Sequence, residues 1–341
     1  MTFSLRVRLT KSGGRWSNRF AVRLEGMRAS SVKLNCLLGT FVVWLVTSVP
    51  LIIWSTLALS VTPVPLMYDD AGRPKNITYS ARRVVTLAPS LTELVYAAGA
   101  QDQLVGVSAF SDFPEPARHK PHVADAAGVS FEALLALKPD LVLAWKGGTK
   151  AADIARLESL GVNVFVINIH TLADVSRALR TIGKLTGRPL IGDRPALVAA
   201  QFETAQATLQ LANAGKAPVR VFFQISQMPL MTVNGDHFIS ETLKLCGGVN
   251  VFSESSQVVL EPSREELLKR GSDAILLPAS INRDVARDKT LYSGLAAYRS
   301  GRVYALNADW ILRPGPRVLL AAEEVCAALD LARASLAEGK K

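Results

Sequence analysis

Apolar residues in this chain gather in short runs, separated by stretches of helical periodicity. Arg83-Val-Val-Thr-Leu-Ala, Leu104-Val-Gly-Val-Ser-Ala, Leu141-Val-Leu-Ala-Trp145 and residues 162–168 read as buried strands. The alternation returns with Val219-Arg-Val-Phe-Phe-Gln, Ala274-Ile-Leu-Leu and Arg302-Val-Tyr-Ala-Leu, then closes on a helix over 317–336. Strands apolar on both faces and joined by helices predict mostly parallel sheets. Pro89-Ser90-Leu-Thr-Glu93 reads as a turn into a helix with a Ser-x-x-Glu capping box.

No strand signal appears between residues 171 and 214, and the later part, Pro195 to Asn213, after the break at Gly187-Arg-Pro189, is rich in Ala, Leu and Gln. A proline-glycine break followed by good helix formers predicts one long helix over 188–217. It would join an N-terminal α/β lobe over 81–187 to a C-terminal α/β lobe over 218–337. An internal repeat supports two related halves: Ser130-Phe131-Glu132-Ala-Leu-Leu, followed by Asp140-Leu-Val-Leu, recurs 133 residues later as Ser263-Arg264-Glu265-Glu-Leu-Leu, followed by Asp273-Ala-Ile-Leu. Each copy is a helix start with Ser at the N-cap and Glu in the first turn, where the helix dipole favours an anion. The expected molecule is bilobed, with a ligand cleft between two Rossmann-like lobes and matched acidic points on its surface.

The chain has 341 residues and a formal net charge of +10, but the charge is unevenly placed. Residues 34–68 carry no charge, and the apolar run at 36–61 is long enough to cross a bilayer although Pro50 interrupts it. Eight of the 39 Lys and Arg precede it against one of the 29 acids, which leaves a net of +3 from Cys36 onward. Positive charge before an apolar run holds that end in the cytoplasm while the rest is exported, so the basicity marks a leader over 1–61 rather than a nucleic-acid site. Thr56-Leu-Ala58 and Ala58-Leu-Ser60 offer small residues to a signal peptidase; left uncleaved, the segment would tether the protein to the inner membrane. Met27 is an alternative start. Residues 62–80, with Pro63, Pro65, Gly72 and Pro74, read as an extended linker.

Catalytic signatures are scarce. The sequence has no Gly-x-x-x-x-Gly-Lys-Ser/Thr loop, no Gly-x-Gly-x-x-Gly and no Gly-x-Ser-x-Gly, and Lys146-Gly147-Gly148 alone is too weak to read as a phosphate cradle. His119, His122, His170 and His237 are scattered where a metal site needs three or four convergent ligands, and they read as surface histidines. Cys246 and Cys326, the two cysteines of the exported part, read either as a disulfide or as two buried small hydrophobes. Four strand ends carry distinctive groups: Pro89-Ser90, Phe110-Ser-Asp-Phe113, Trp145-Lys-Gly-Gly148 and Asp309-Trp310-Ile311-Leu312-Arg313. Ligands of open α/β sheets settle outside such ends, and aromatic plus charged residues there suit a large flat ligand with polar edges.

These motifs carry a resemblance. Arg83-Val-Val-Thr-Leu-Ala-Pro-Ser with Thr92-Glu93-Leu, Gly106-Val-Ser with Ser111-Asp112, Leu137-Lys-Pro-Asp-Leu-Val-Leu-Ala-Trp145 with Gly147-Gly148, Cys246-Gly-Gly with Asn250, Ser263-Arg-Glu265, and Asp309-Trp310 with Arg313 are collinear over nearly the whole exported part. Together they resemble the periplasmic cobalamin-binding proteins of ABC importers, within the helix-linked class III periplasmic binding proteins. The resemblance implies that Phe110, Trp145 and Asp309, Trp310, Ile311, Leu312 and Arg313 line a corrinoid cleft. It also implies that Glu132 and Glu265 dock onto arginines of the membrane permease, that Cys246 pairs with Cys326, and that the chain carries cobalamin as cargo rather than as a cofactor. The implied partners are the permease and its ATPase, the implied state is a monomer in the periplasm, and no catalysis, resident metal or nucleic acid is implied.

Three positions depart from the pattern. Phe110 stands where the family commonly has tyrosine, Ala126 where an aromatic is expected, and residues 258–260 lack a tryptophan. A cleft with fewer aromatics leaves room for another metal chelate, haem or a ferric siderophore, as the alternative ligand. A membrane-anchored extracytoplasmic α/β enzyme is the rival from a different class, and the missing nucleophile and phosphate motifs weigh against it.

Overall fold

The structure, a computed structural model, describes residues 67–75, 80–187, 193–281 and 292–339. The leader and the apolar run at 36–61 lie outside them, and among the described residues no helix is long and apolar enough to cross a membrane. Residues inside the stretch expected as an extended linker form a hairpin of β1 (Met67–Tyr68) and β2 (Pro74–Lys75). Two aspartates tie it down: the buried Asp69 accepts from the backbone of Ala71 and Arg73, and Asp70 accepts from the Asn168 N–H at 2.7 Å. Burial works against ionising Asp69, but hydrogen bonds from Arg73 outweigh it and hold the carboxyl below its ordinary range.

The first lobe is built on β3 (Val84–Thr86), β4 (Leu104–Ser108), β5 (His122–Ala124), β6 (Leu141–Trp145) and β7 (Val164–Ile167). All neighbours are parallel, in the order β5-β4-β3-β6-β7. Its helices are α1 (Pro89–Ala97), α2 (Phe131–Ala136), α3 (Ala151–Ser159) and α4 (Leu172–Thr186). α4 starts on a Thr171/Asp174 capping box and stops at Gly187, whose φ of 56° is a left-handed conformation that glycine adopts without steric cost. After a gap in the described residues, α5 (Arg194–Asn213) leads into the second lobe as a 20-residue helix.

The second lobe contains β8 (Val219–Phe223), β9 (Thr232–Val233), β10 (Gly248–Asn250), β11 (Val259–Leu260), β12 (Ala274–Pro278) and β13 (Val303–Leu306). Its main sheet is parallel in the order β10-β8-β12-β13, with β9 and β11 paired antiparallel beside it. The helices are α6 (Phe238–Leu245), α7 (Arg264–Arg270), α8 (Ala296–Arg299), α9 (Ala308–Ile311) and α10 (Val318–Glu338).

The repeat read from the sequence is a structural repeat. Asp140, just before β6, accepts from the Arg83 N–H at 2.9 Å, and Asp273, just before β12, accepts from the Arg220 N–H at 2.9 Å. The guanidinium of Arg83 donates to the Leu137 carbonyl, and that of Arg220 to the Arg270 carbonyl, at 2.6 and 2.5 Å. Each half thus locks its short helix to the start of the neighbouring strand in the same way.

Side chains alternate along the strands between two apolar layers. Leu141 and Leu143 face one side of the first sheet while Val142 and Ala144 face the other; Ala274 and Leu276 oppose Ile275 and Leu277 in the second. The first layer is continuous across both lobes, running from Leu91 and Leu179 through Phe202 to Leu243 and Val325. A shared close-packed core resists hinge opening, so the lobes are held by packing as well as by α5.

Candidate ligand-binding cleft

Both main sheets are parallel, so their carboxyl ends are where loops can gather ligand groups. β6 ends on Trp145, β7 runs into Asn168 and His170, β8 into Ile225, and β13 into α9. Between the lobes these segments enclose a cavity of about 270 Å³, lined from the first lobe by Trp145, Gly147 and His170 and from the second by Ile225, His237 and Leu312.

Two glycines hold Trp145 in place. A Cβ at Gly147 would lie 2.7 Å from the indole ring, and one at Gly148 2.6 Å, so only glycine lets this backbone lie against the aromatic face. The Trp145 N–H donates to Thr149 Oγ1 at 3.1 Å. Lys146-Gly147-Gly148 is therefore a support for the tryptophan.

Phe110, in the turn after β4, is 72% exposed and has a φ of 63°. A left-handed backbone at a bulky residue is strained, and it persists where the surroundings impose it. A chain of buried hydroxyls does so here: Thr86 to Thr92 at 2.7 Å, Thr92 to Ser111 at 3.0 Å and Ser108 to Ser111 at 3.2 Å pin the residue after Phe110.

Next to this turn the lobes are cross-linked by charge. Arg313 Nη1 reaches Asp112 Oδ1 at 2.7 Å and Glu93 Oε1 at 3.5 Å, while its Nη2 holds Asp309 at 2.7 Å. Burial opposes ionisation of Asp112, but the Arg313 guanidinium prevails and keeps the carboxyl below its ordinary range. Arg317 lies 4.0 Å over the Phe113 ring and pairs with Glu93. The capping box expected at Ser90 and Glu93 is not formed: α1 starts two residues earlier than that cap implies, at Pro89, and its N-cap Ala88 has no side-chain bond. Glu93 instead sits on the buried face of α1, 3% exposed, as an inter-lobe partner.

The segment Asp309 to Arg313 divides. Asp309 is exposed, Leu312 lines the cavity, Trp310 packs partly against the shared core, and Ile311 is fully buried within it. Ile311 thus faces the core, and Arg313 is engaged by three carboxylates.

His237 was not legible as a site residue and does not behave as a surface histidine. It caps α6, accepting the Ile239 N–H at its Nδ1 at 3.2 Å, and its ring is half-buried beside Phe238. Burial, and then the nearby His170, lower its pKa to about 4. The sequence signal available was slight: a polar residue just before an apolar helix start, of a type that seldom caps. Among the described residues no group of three or more His, Cys, Asp or Glu could hold a metal ion.

Glu132 and Glu265 occupy the first turns of α2 and α7, both exposed and without an ion-pair partner among the described residues. Ser263 caps its helix, accepting the Glu266 N–H at 3.1 Å, whereas the Ser130 side chain makes no cap bond. Cys246 and Cys326 form a disulfide joining the end of α6 to α10.

A fold of two parallel α/β lobes around a cleft defines a class, and comparison with known proteins places the chain in it. Residues 84–310 match the model of the periplasmic binding protein family, and the chain belongs to that family. It is 34% identical over 255 residues to a vitamin B12-binding protein of Vibrio cholerae, covering 75% of this chain and 91% of that one. To a vitamin B12-binding protein of Yersinia pestis it is 36% identical over 251 residues, covering 72% and 86%. The crystal structure of the periplasmic vitamin B12 binding protein BtuF of Vibrio cholerae superposes with a TM-score of 0.69 at 33% identity, over 75% of this chain and 99% of that one. The periplasmic heme-binding protein BhuT superposes with a TM-score of 0.65 at 24% identity, over 74% and 99%, a likeness of fold alone.

Proposed function

We propose that this chain is the substrate-binding component of an ABC importer, taking cobalamin or a related corrinoid into the cleft between its lobes and delivering it to an inner-membrane permease and its ATPase. The observation that carries this reading is the 34% identity to a vitamin B12-binding protein across three quarters of the chain. The cleft is consistent with it: Trp145 on its glycine support lines the cavity together with Leu312 and offers flat apolar surface to a macrocycle, and Phe110, after β4, and Asp309, after β13, are exposed.

In this reading the protein binds and releases its ligand without covalent chemistry, acts as a monomer in the periplasm, and presents Glu132 and Glu265 to the permease. The basic leader and the apolar run at 36–61 are its export signal. Calorimetric titration of the exported part with cyanocobalamin and, separately, with haemin tests the reading. Saturable 1:1 binding of cyanocobalamin supports it; binding of haemin with none of cyanocobalamin refutes it in favour of the haem alternative.

A further inference from the structure

The cavity between the lobes is small and sparsely polar. At about 270 Å³ it falls just below the roughly 300 to 1,000 Å³ typical of sites for drug-sized ligands, a size that suits one arm of a macrocycle whose ring lies against Trp145. Its lining is mostly apolar, with Asn168, His170 and His237 as the polar side chains and no lysine or arginine among them. Arg313, the cation nearest in sequence to the lining residue Leu312, is engaged by Asp112, Asp309 and Glu93.

The hydrogen bonding of His237 fixes which proton it shows. Its Nδ1 accepts the Ile239 N–H, and a neutral imidazole that accepts at one nitrogen carries its proton on the other. Burial and the neighbouring His170 keep the ring neutral at pH 7. No partner for its Nε2–H exists among the described residues. A neutral donor in an apolar cavity whose lining carries no lysine or arginine suits an uncharged acceptor; a carboxylate buried against that lining would lose its hydration without gaining a counter-charge from it, since the exposed Lys146 between Trp145 and Gly147 is not part of the lining.

We propose that this cavity is a carboxamide subsite, in which His237 Nε2–H donates to the carbonyl oxygen of an uncharged amide arm of the ligand. The proposal rests on the corrinoid reading, since a corrinoid carries acetamide and propionamide arms at its periphery, where haem carries carboxylates. His237 would then select amide-bearing macrocycles over acidic ones.

Binding of cyanocobalamin and its b-, d- and e-monocarboxylic acids is measured at pH 7 for the exported protein and for His237→Asn. Asparagine keeps an acceptor for the helix cap but is too short to offer its donor to the cavity. The expected results are a loss of about 3- to 10-fold in cyanocobalamin affinity for His237→Asn, the worth of one neutral hydrogen bond, with an unchanged melting temperature. At least one monocarboxylate should bind the wild type about tenfold more weakly than the amide, a gap that narrows in the variant. Equal cyanocobalamin affinity of a folded His237→Asn overturns the subsite. So does equal wild-type affinity for all four compounds, a measurement that needs no variant. Absence of cyanocobalamin binding to the wild type would instead overturn the corrinoid reading itself, and the subsite with it.

Discussion

The carboxylate of Glu93, on the first lobe's α1, accepts both Nε and Nη2 of Arg317, at the start of the second lobe's α10, at 2.8 and 2.6 Å. Burial works against the charge on Arg317, but the bonds to Glu93 outweigh it and raise its pKa. With Arg313 bridging Glu93 and Asp112 alongside, and the shared apolar core behind, the lobes are joined at a point far from α5 in the sequence.

Removing one member of this pair leaves the other's charge buried. Arg317→Met should cost about 3 kcal/mol in urea unfolding, the low end of the range for breaking a buried pair from one side, because Arg313 still faces Glu93 at 3.5 Å. The double variant Glu93→Gln with Arg317→Met should recover most of that, because neither charge then remains. Equal stability of the single and double variants would mean that the pair does not brace the lobes.

Most of the framework could be read from the sequence because strand runs such as 141–145 are apolar on both faces, as is 219–223 apart from the exposed Arg220. The repeat at 133 residues was visible because its aspartates must each meet a strand start, which fixes their spacing from the following strand. Shorter strands escaped: β5, with His122 exposed, and the two-residue β9 and β11 carry too few residues to show a period. Glu93 was misread because Ser-x-x-Glu is also a capping signature, and only burial of the α1 face distinguishes the two. His237 was missed because its role depends on the second lobe placing α6 opposite Asn168 and His170, a juxtaposition that local spacing does not encode.

The glycine support gives a test of Trp145 that leaves the tryptophan in place. Gly148→Ala puts a methyl within 2.6 Å of the ring, so the indole must move. Trp145→Ala should weaken corrinoid binding by about 1 to 3 kcal/mol, as removal of an aromatic anchor does, and Gly148→Ala should reproduce part of this loss. Unchanged affinity in both, with a lowered melting temperature, would place Trp145 in the core alone.

The disulfide closes a sequence separation of 80 residues in the second lobe. Replacing both cysteines with alanine should lower unfolding free energy by about 2 to 4 kcal/mol, through freedom regained by the unfolded chain. Thiol counting on the unreduced, unfolded exported protein checks the bond directly: two free thiols would refute it.

His237 also makes stability depend on pH. Its pKa is about 4 in the fold against 6.5 when unfolded, so between these values the unfolded chain binds more protons and stability rises with pH. As pH falls from 6.5 to 4 the wild type should lose at most about 3 kcal/mol through this group, since one pKa unit corresponds to about 1.36 kcal/mol. Asp69, Asp112 and Asp174, whose pKa values are lowered, add their losses only below their ordinary value of 3.8. His237→Asn should flatten the upper window and leave the acid limb; an unchanged slope between pH 4 and 6.5 would show that the histidine is not held neutral.

Glu132 and Glu265 test whether the structural repeat serves recognition. Each lies in the first turn of the short helix that its half locks to a strand through Asp140 or Asp273, so the two carboxylates are fixed to rigid lobes, and the lobes to one another by the Glu93–Arg317 pair. Both are exposed and, among the described residues, free of ion pairs, unlike the adjacent Glu266, which Arg270 holds at 2.9 Å. Two unpaired like charges at a set separation would orient a partner carrying two matching cations, favouring register and association rate more than affinity. As helix-dipole partners alone, each would contribute only about 0.3 to 1 kcal/mol to stability. Glu132→Lys with Glu265→Lys should therefore abolish ligand delivery in a reconstituted transporter while corrinoid affinity in solution stays at the wild-type value. Transport at the wild-type rate by the double variant would reduce both glutamates to stabilisers of their helices, and loss of ligand binding in solution would show that the reversal acts on the cleft rather than on docking.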